Sequence, residues 1–260
     1  MQRSGSAGTR LVVGACSLFA TALLWYVATT ATGFIASVYL PTPAEVLAAF
    51  RQITTTGYAD ARLQAHFLHS CKLVLMGFAV AVAVGVPLGM VMGWSRRAEA
   101  FFNPVFLLLR PIPPLAWIPL AIVWLGLGDA VKILVIWFAA FVPSVINSHA
   151  GVRTIEPHVV EAARTLGVHR RMLVFEVLIP GALPHIFTGL RISLQACWTT
   201  LVAGELIGAI VGLGHVLYQA GLDLYPAMIV VGMIGVAVGG AGMTLILDWF
   251  ETRVTPWRRP

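Results

Sequence analysis

Six stretches of this chain are apolar over lengths that an aqueous fold does not use: roughly residues 11–31, 68–94, 104–125, 131–151, 186–212 and 226–250. Each reaches the ~20 residues with which a helix crosses ~30 Å of hydrocarbon. Together they leave little chain for anything else. The composition agrees: 58% of residues are hydrophobic and 11% charged, where a soluble domain carries about a quarter charged. Lipid offers no partner to a free amide, so each segment must satisfy its own backbone. The expectation is an all-α integral membrane fold, a single transmembrane domain over residues 1–260 with six spans.

The cations set an orientation. The termini and loops on one side of such a six-span arrangement hold Arg3, Arg10, Arg96, Arg97, Arg153, Arg164, Arg170, Arg171, Arg253, Arg258 and Arg259, while the loops on the other hold Arg51 and Arg62. The Arg-rich side is expected in the cytoplasm, with both termini inside. The net charge of +6 then reads as an orientation signal and a lipid-headgroup contact, with no nucleic-acid partner required. MQRSGSAGTR ahead of the first apolar run resembles a secretory leader, but that run exceeds the usual 7–15-residue signal core, and a retained first helix is expected. Cys16, Cys71 and Cys197 lie in or beside apolar segments without metal-ligand spacing. They are expected to be buried thiols rather than disulfides or a zinc site.

Several segments carry local instructions. In LPTPAEVLAAFRQI, Thr42 or Pro43 can start an amphipathic helix with Val46, Leu47 and Phe50 on its apolar face. Gly85, Gly89 and Gly93 make a small-residue ladder suited to close helix approach in lipid, and Gly235/Gly239 repeat the spacing. RPIPPLAWIPL, Arg110 to Leu120, has four prolines that expose carbonyls, which lipid tolerates only where backbone is buried in protein or lines a watery cavity. Arg110, Pro113 and Trp117 are therefore candidate pathway residues; the alternative for Arg110 is a side chain that snorkels to the headgroups. In GLRISLQACWTTLVAGELIGA, Arg191, Gln195, Trp198, Val202 and Glu205 fall on one helical stripe. Gln195, Trp198 and Glu205 join the pathway candidates. For Glu205, expected deep in its span, a structural hydrogen bond to a neighbouring helix is the open alternative. Asp129, His215, Asp223 and Tyr225 read as solvated residues of the outer connections.

Between the fourth and fifth spans lies a polar island, residues 152–185, containing PHVVEAARTLGVHRRMLVFEVLIPGALP from Pro157 to Pro184. EAARTL suits a short helix with Glu161 near its N-terminal end, Gly167 can end it, and HRRMLVFEVLI reads as a second helix closed by Pro180 and Pro184. The result is a protruding helix-turn-helix knob.

Glu161-Ala162-Ala163, Gly167 four residues on, and the apolar-x-apolar-Pro ending Val177, Ile179, Pro180 resemble the EAA motif of ABC importer permeases. With LPxP, GVPLG, RPIPPLAWIPL, GALPHIFTGLRI, GELIGA and the terminal TPW, the resemblance extends over nearly the whole chain from about residue 24. It is most similar to the nitrate/sulfonate/taurine branch of the binding-protein-dependent permeases, and within that to taurine permeases. Val177 and Ile179 depart from the commoner Ile and Leu only conservatively.

The resemblance implies a type I ABC importer permease fold, a homodimer in the bacterial inner membrane, two ATP-binding subunits on the cytoplasmic side and an extracytoplasmic solute-binding protein. It implies that Glu161, Ala162, Ala163, Gly167, Arg170 and Arg171 form the coupling helix against the ATPase. Taurine or another alkanesulfonate is the solute implied, with nitrate, bicarbonate or a thiamine-precursor pyrimidine as alternatives. The chain has no GxxxxGK[ST] loop, HExxH or GxSxG, so no enzyme and no bound cofactor is expected; ATP and Mg belong to the partner ATPase. An ion-coupled secondary transporter would need paired midplane ionisable groups, and the sequence offers essentially Glu205.

Overall fold

The structure, a computed structural model, describes residues 7–258. Arg3 and Arg259 lie outside the described residues, as do the side chains of Arg10, Arg170 and Arg258. The first helix, α1 (Ala7–Tyr26), ends in a π-helical turn, Val27–Ala31. α2 (Pro43–Thr55) starts as its sequence directs: Thr42 accepts from the Glu45 amide, Glu45 accepts from the Thr42 amide, and Pro43 supplies a preset φ. Its inward face is Val46, Ala49 and Ile53. Leu47 and Phe50, expected beside Val46, point outward, because α2 lies on the last helix along the 46/49/53 line.

α3 (Leu63–Trp94) descends to a sharp corner at Ser95, and α4 (Arg96–Leu109) returns from it. The third span is not the single helix expected over 104–125. It begins at Arg96, breaks after Leu109, passes through a 3-10 turn, Pro114–Trp117, and resumes as α5 (Ile118–Leu125), with its halves bent by 84°. The prolines at 111, 113 and 114 remove the donors that would continue the first half. α6 (Asp129–Arg153) is continuous through Pro143.

After α7 (Pro157–Thr165), the short α8 (Arg170–Met172), a π-helical stretch Leu173–Leu178 and α9 (Ile179–Glu205) follow without a break. The expected closure at Pro180 and Pro184 does not occur. Wide π turns just before Pro180 make room for its ring and its missing amide, so the helix runs through. The fifth span ends at Glu205 rather than at residue 212. Residues 206–212 form an irregular lip, with Gly208 and Gly212 at positive φ, before α10 (Leu213–Leu222) and α11 (Pro226–Val254). Among the described residues five helices are long and apolar enough to span a membrane, and the bent pair brings the number to as many as six.

The core is the bundle α3, α6, α9 and α11. Leu73, Val74, Ile136, Ala140, Leu194, Cys197, Trp198 and Leu201 pack at its centre. The glycine ladder is where α3 meets α6. A Cβ on Gly89 would lie 2.4 Å from the Val145 carbonyl, and one on Gly93 would lie 2.8 Å from the His149 carbonyl. At such approach backbone packs on backbone, which is how helices associate when lipid removes the hydrophobic drive. Gly239 of α11 similarly receives the Trp198 ring. Of the cysteines, Cys197 is buried and Cys71 partly so. Cys16 is exposed, contrary to expectation, because α1 stands off the bundle with only 6% of its apolar window covered.

Candidate coupling surface and translocation groove

The helix α7 projects from one face of the bundle with no buried residue. It starts at Pro157, so Glu161 falls in its second turn, exposed, and not near the N-terminal end where it was expected. Ala162 is exposed and Ala163 half-buried toward the body. The far end is closed by backbone alone. The Gly167 amide donates to the Arg164 carbonyl at 3.0 Å and the Val168 amide to the Ala163 carbonyl at 3.2 Å. This Schellman arrangement needs a left-handed residue, and Gly167 has φ +79°. Leu166, beside it, is 83% exposed. Arg171 is exposed at the start of the next helix, where Arg170 also lies. The knob is thus a rigid turn offering Glu161, Ala162, Leu166 and Arg171 outward.

Ion pairs tie down the same face. Arg153 of α6 pairs with Glu99 of α4, and His149 lies 3.2 Å from the same carboxylate. Arg191 of α9 pairs with Asp248 at 2.5 Å and with Glu251, both on α11.

From Arg191 an open groove of about 570 Å³ runs between α9 and α11, lined by Gln195, Trp198, Thr199, Val202 and Thr244. The stripe read from the sequence is therefore one surface from Arg191 to Val202. Gln195 and Thr199 are exposed on it, while Trp198 is 5% exposed and presents only an edge. Arg110 and Pro113 are exposed on the broken third span. Trp117 is half-buried and stacks on Phe138 of α6 at 4.3 Å between centroids. Among the described residues the proline-rich stretch is left uncovered by this chain alone; Ile112 and Leu115 also face outward.

Glu205 departs from the stripe. It is fully buried and accepts hydrogen bonds from the Ser70 hydroxyl at 2.8 Å and the Gly214 amide at 2.7 Å. The structural hydrogen bond left open for it describes its surroundings, and at the last residue of α9 it sits at the end of its span instead of deep inside.

Sequence reasoning missed several polar residues on the face opposite α7. His66 and Ser70 are fully buried one turn apart on α3, a pair legible in principle as two polar groups at i, i+4 in an apolar span. Lys132, 7% exposed, pairs with Asp129 at 3.2 Å, and His69 lies 3.3 Å from Asp129. Glu205 is thus one of several ionisable groups in the spans. Asp223 is likewise engaged, accepting from the Tyr58 hydroxyl at 2.5 Å and from Gln219 at 3.0 Å. Burial first, and then the bond to Asp223, push the Tyr58 phenol above the usual tyrosine range.

Comparisons with known proteins fit this geometry. Residues 85–260 match the family of binding-protein-dependent transport system inner membrane components. The taurine transport system permease protein TauC of Escherichia coli (strain K12) is 37% identical over 95% of this chain and 89% of its own length. The bicarbonate transport system permease protein CmpB of Synechococcus elongatus is 35% identical over 72% of this chain and 66% of its own. Among solved structures, an inward-facing MetNI methionine ABC transporter aligns with TM-score 0.51 over 85% of this chain and 97% of that one, at 21% identity, a likeness of fold. The chain belongs to the binding-protein-dependent transport system inner membrane components, multi-pass permease subunits that carry out translocation in ABC importers and are not enzymes.

Proposed function

We propose that this chain is the permease of an importer for taurine or another alkanesulfonate, received from an extracytoplasmic binding protein and driven by a separate ATPase. The observation that carries the coupling part is α7: a nine-residue helix with no buried residue, closed by its own backbone, has a free surface to offer. In this reading Glu161, Ala162, Ala163, Gly167, Arg170 and Arg171 meet the ATPase, and ATP and Mg stay in that partner. The Arg-rich α7 face is cytoplasmic, with both termini inside the bacterial inner membrane.

The pathway runs along the groove past Gln195 and Trp198 and beside Arg110, Pro113 and Trp117. These surfaces stay open in one chain, which supports a homodimer that closes them around a central route. Glu205 serves the pathway from within its wall. Similarity to the taurine permease over 95% of the chain supports the solute; similarity to the bicarbonate permease favours bicarbonate as the second reading.

The test is reconstitution in liposomes with a cognate ATPase and binding protein. Labelled taurine should accumulate only with ATP, Mg and both partners present. Uptake driven by an ion gradient without the ATPase would refute the class, and competition by bicarbonate but not by taurine would refute the solute.

A further inference from the structure

The first amides of a helix have no intrahelical acceptor, and α10 cannot cap itself because its N-cap residue is Gly212. Three side chains from other helices do so. The Gly212 amide donates to His66 Nδ1 at 3.0 Å, the Leu213 amide to Ser70 Oγ at 2.9 Å, and the Gly214 amide to Glu205 Oε2 at 2.7 Å. Ser70 then donates to Glu205 Oε1 at 2.8 Å, so the acceptors form one network. Because His66 Nδ1 accepts, its proton sits on Nε2, which faces the Tyr58 carbonyl at 3.0 Å. His66, Ser70 and Glu205 are all 0% exposed. The glycines are required: a Cβ on Gly212 would lie 2.2 Å from Glu205 Oε1, and one on Gly214 would lie 2.7 Å from Glu205 Cβ.

What this cap holds is the lip 206–212. Leu206, Ile207 and Ile210 are exposed on it. Ile207 and Gly204 face Leu127 and Gly128 of the turn after α5 across a space of only about 10 Å³. The lip therefore meets the end of the broken third span at the end of α9 just past Val202, the last residue of that helix to line the groove, and on the other side of the helix from it.

We propose that His66, Ser70 and Glu205 are positioning residues of the translocation mouth, capping α10 from α3 and α9 and thereby holding the lip closed on the α5–α6 turn. This rests on the groove being the pathway. Removing an acceptor leaves a buried amide unpaired, which favours states in which α10 and the lip move away.

The experiment labels an Ala209→Cys reporter, at a lip position only 7% exposed, with an aqueous thiol reagent, above the background of the native cysteines, in the purified permease in lipid nanodiscs. Glu205→Ala, Ser70→Ala and His66→Leu should each raise the labelling rate roughly tenfold. His66→Asn, whose amide oxygen can replace Nδ1 as acceptor, should stay near the parent rate. Glu205→Gln, which keeps an oxygen for the Gly214 amide, should fall between. In the reconstituted importer the same variants should hydrolyse ATP without the binding protein in the same rank order, which a general loss of stability would not produce. Parent-level labelling in Ser70→Ala and Glu205→Gln would overturn the proposal, also where Glu205→Ala is not recovered folded; so would equal labelling by His66→Asn and His66→Leu. The labelling needs no solute, so it stands or falls separately from the substrate assignment.

Discussion

α7 and α10 are of nearly equal length, nine and ten residues, and each joins two long helices, yet they are held in opposite ways. α7 buries nothing and ends on its own backbone through Gly167. α10 buries Leu213, Gly214, Val216 and Ala220, and begins on side chains that α3 and α9 lend it. A helix closed from within can leave its whole outer surface to a partner. A helix closed by its neighbours is part of them and moves only when they do. In the reading proposed above, the chain offers a handle on one face of the bundle and locks a door frame on the other.

The sharpest challenge to this contrast is a matched substitution. Gly212→Ala drives a Cβ onto the Glu205 carboxylate from a backbone at φ +150° and should cost about 3 kcal/mol, read as a fall in the unfolding temperature of the detergent-purified permease. A stability equal to the parent's would break the contrast outright. Next, Glu161→Lys combined with Leu166→Ser should leave unfolding within about 0.5 kcal/mol of the parent, because both residues are exposed. The same pair should cut ATPase capture and ATP-driven uptake about tenfold, as loss of an interface anchor does; unchanged capture would remove α7 as the handle.

Gly167→Ala sharpens the comparison further. No atom lies within 4 Å of the added carbon, so only the left-handed conformation is penalised, by about 1 kcal/mol. The smallest effect belongs to Tyr58→Phe, which removes the anchor on Asp223 at the other end of α10 and should cost under about 1 kcal/mol. The sign of its pH dependence is fixed. A phenol held above its ordinary value keeps its proton in the folded state, so the parent loses stability as pH rises past about 10. The Phe variant should lack that part of the slope in unfolding measured from about pH 9 to 11.

The two regions also differ in how far the sequence discloses them. α7 was legible in part because its instructions are local: Gly167 closes it and the Arg side chains mark its face, whereas its opening at Pro157, one turn ahead of Glu161, was missed. The Gly85/Gly89/Gly93 seam was legible for the same reason, since spacing alone puts small residues on one line. The cap on α10 was not, because its acceptors lie 146, 143 and 9 residues from the amides they meet. No local pattern pairs them until the helices pack. Glu205 stood out as a lone carboxylate, but its partners are the Ser70 hydroxyl, 135 residues away, and the Gly214 backbone amide, which carries no letter in a sequence. Pro180 misled for a related reason. The ring forbids an ordinary α-turn before it, and the widened turns that admit it arise only when the flanking helix is held on both sides.

That widened stretch has a mechanical consequence. Because Pro180 and Pro184 do not interrupt the backbone, Leu173–Glu205 is one strut of 33 residues, about 50 Å long at ~1.5 Å per residue. Its lower end carries the loop to α7, and its upper end is the carboxylate seated over Gly212. Tilting a beam of that length by about 5° sweeps its tip through about 4 Å, more than the width of a hydrogen bond. Under the proposed coupling, a small rocking at the knob would become a displacement large enough to unseat the lip, without any joint between the two.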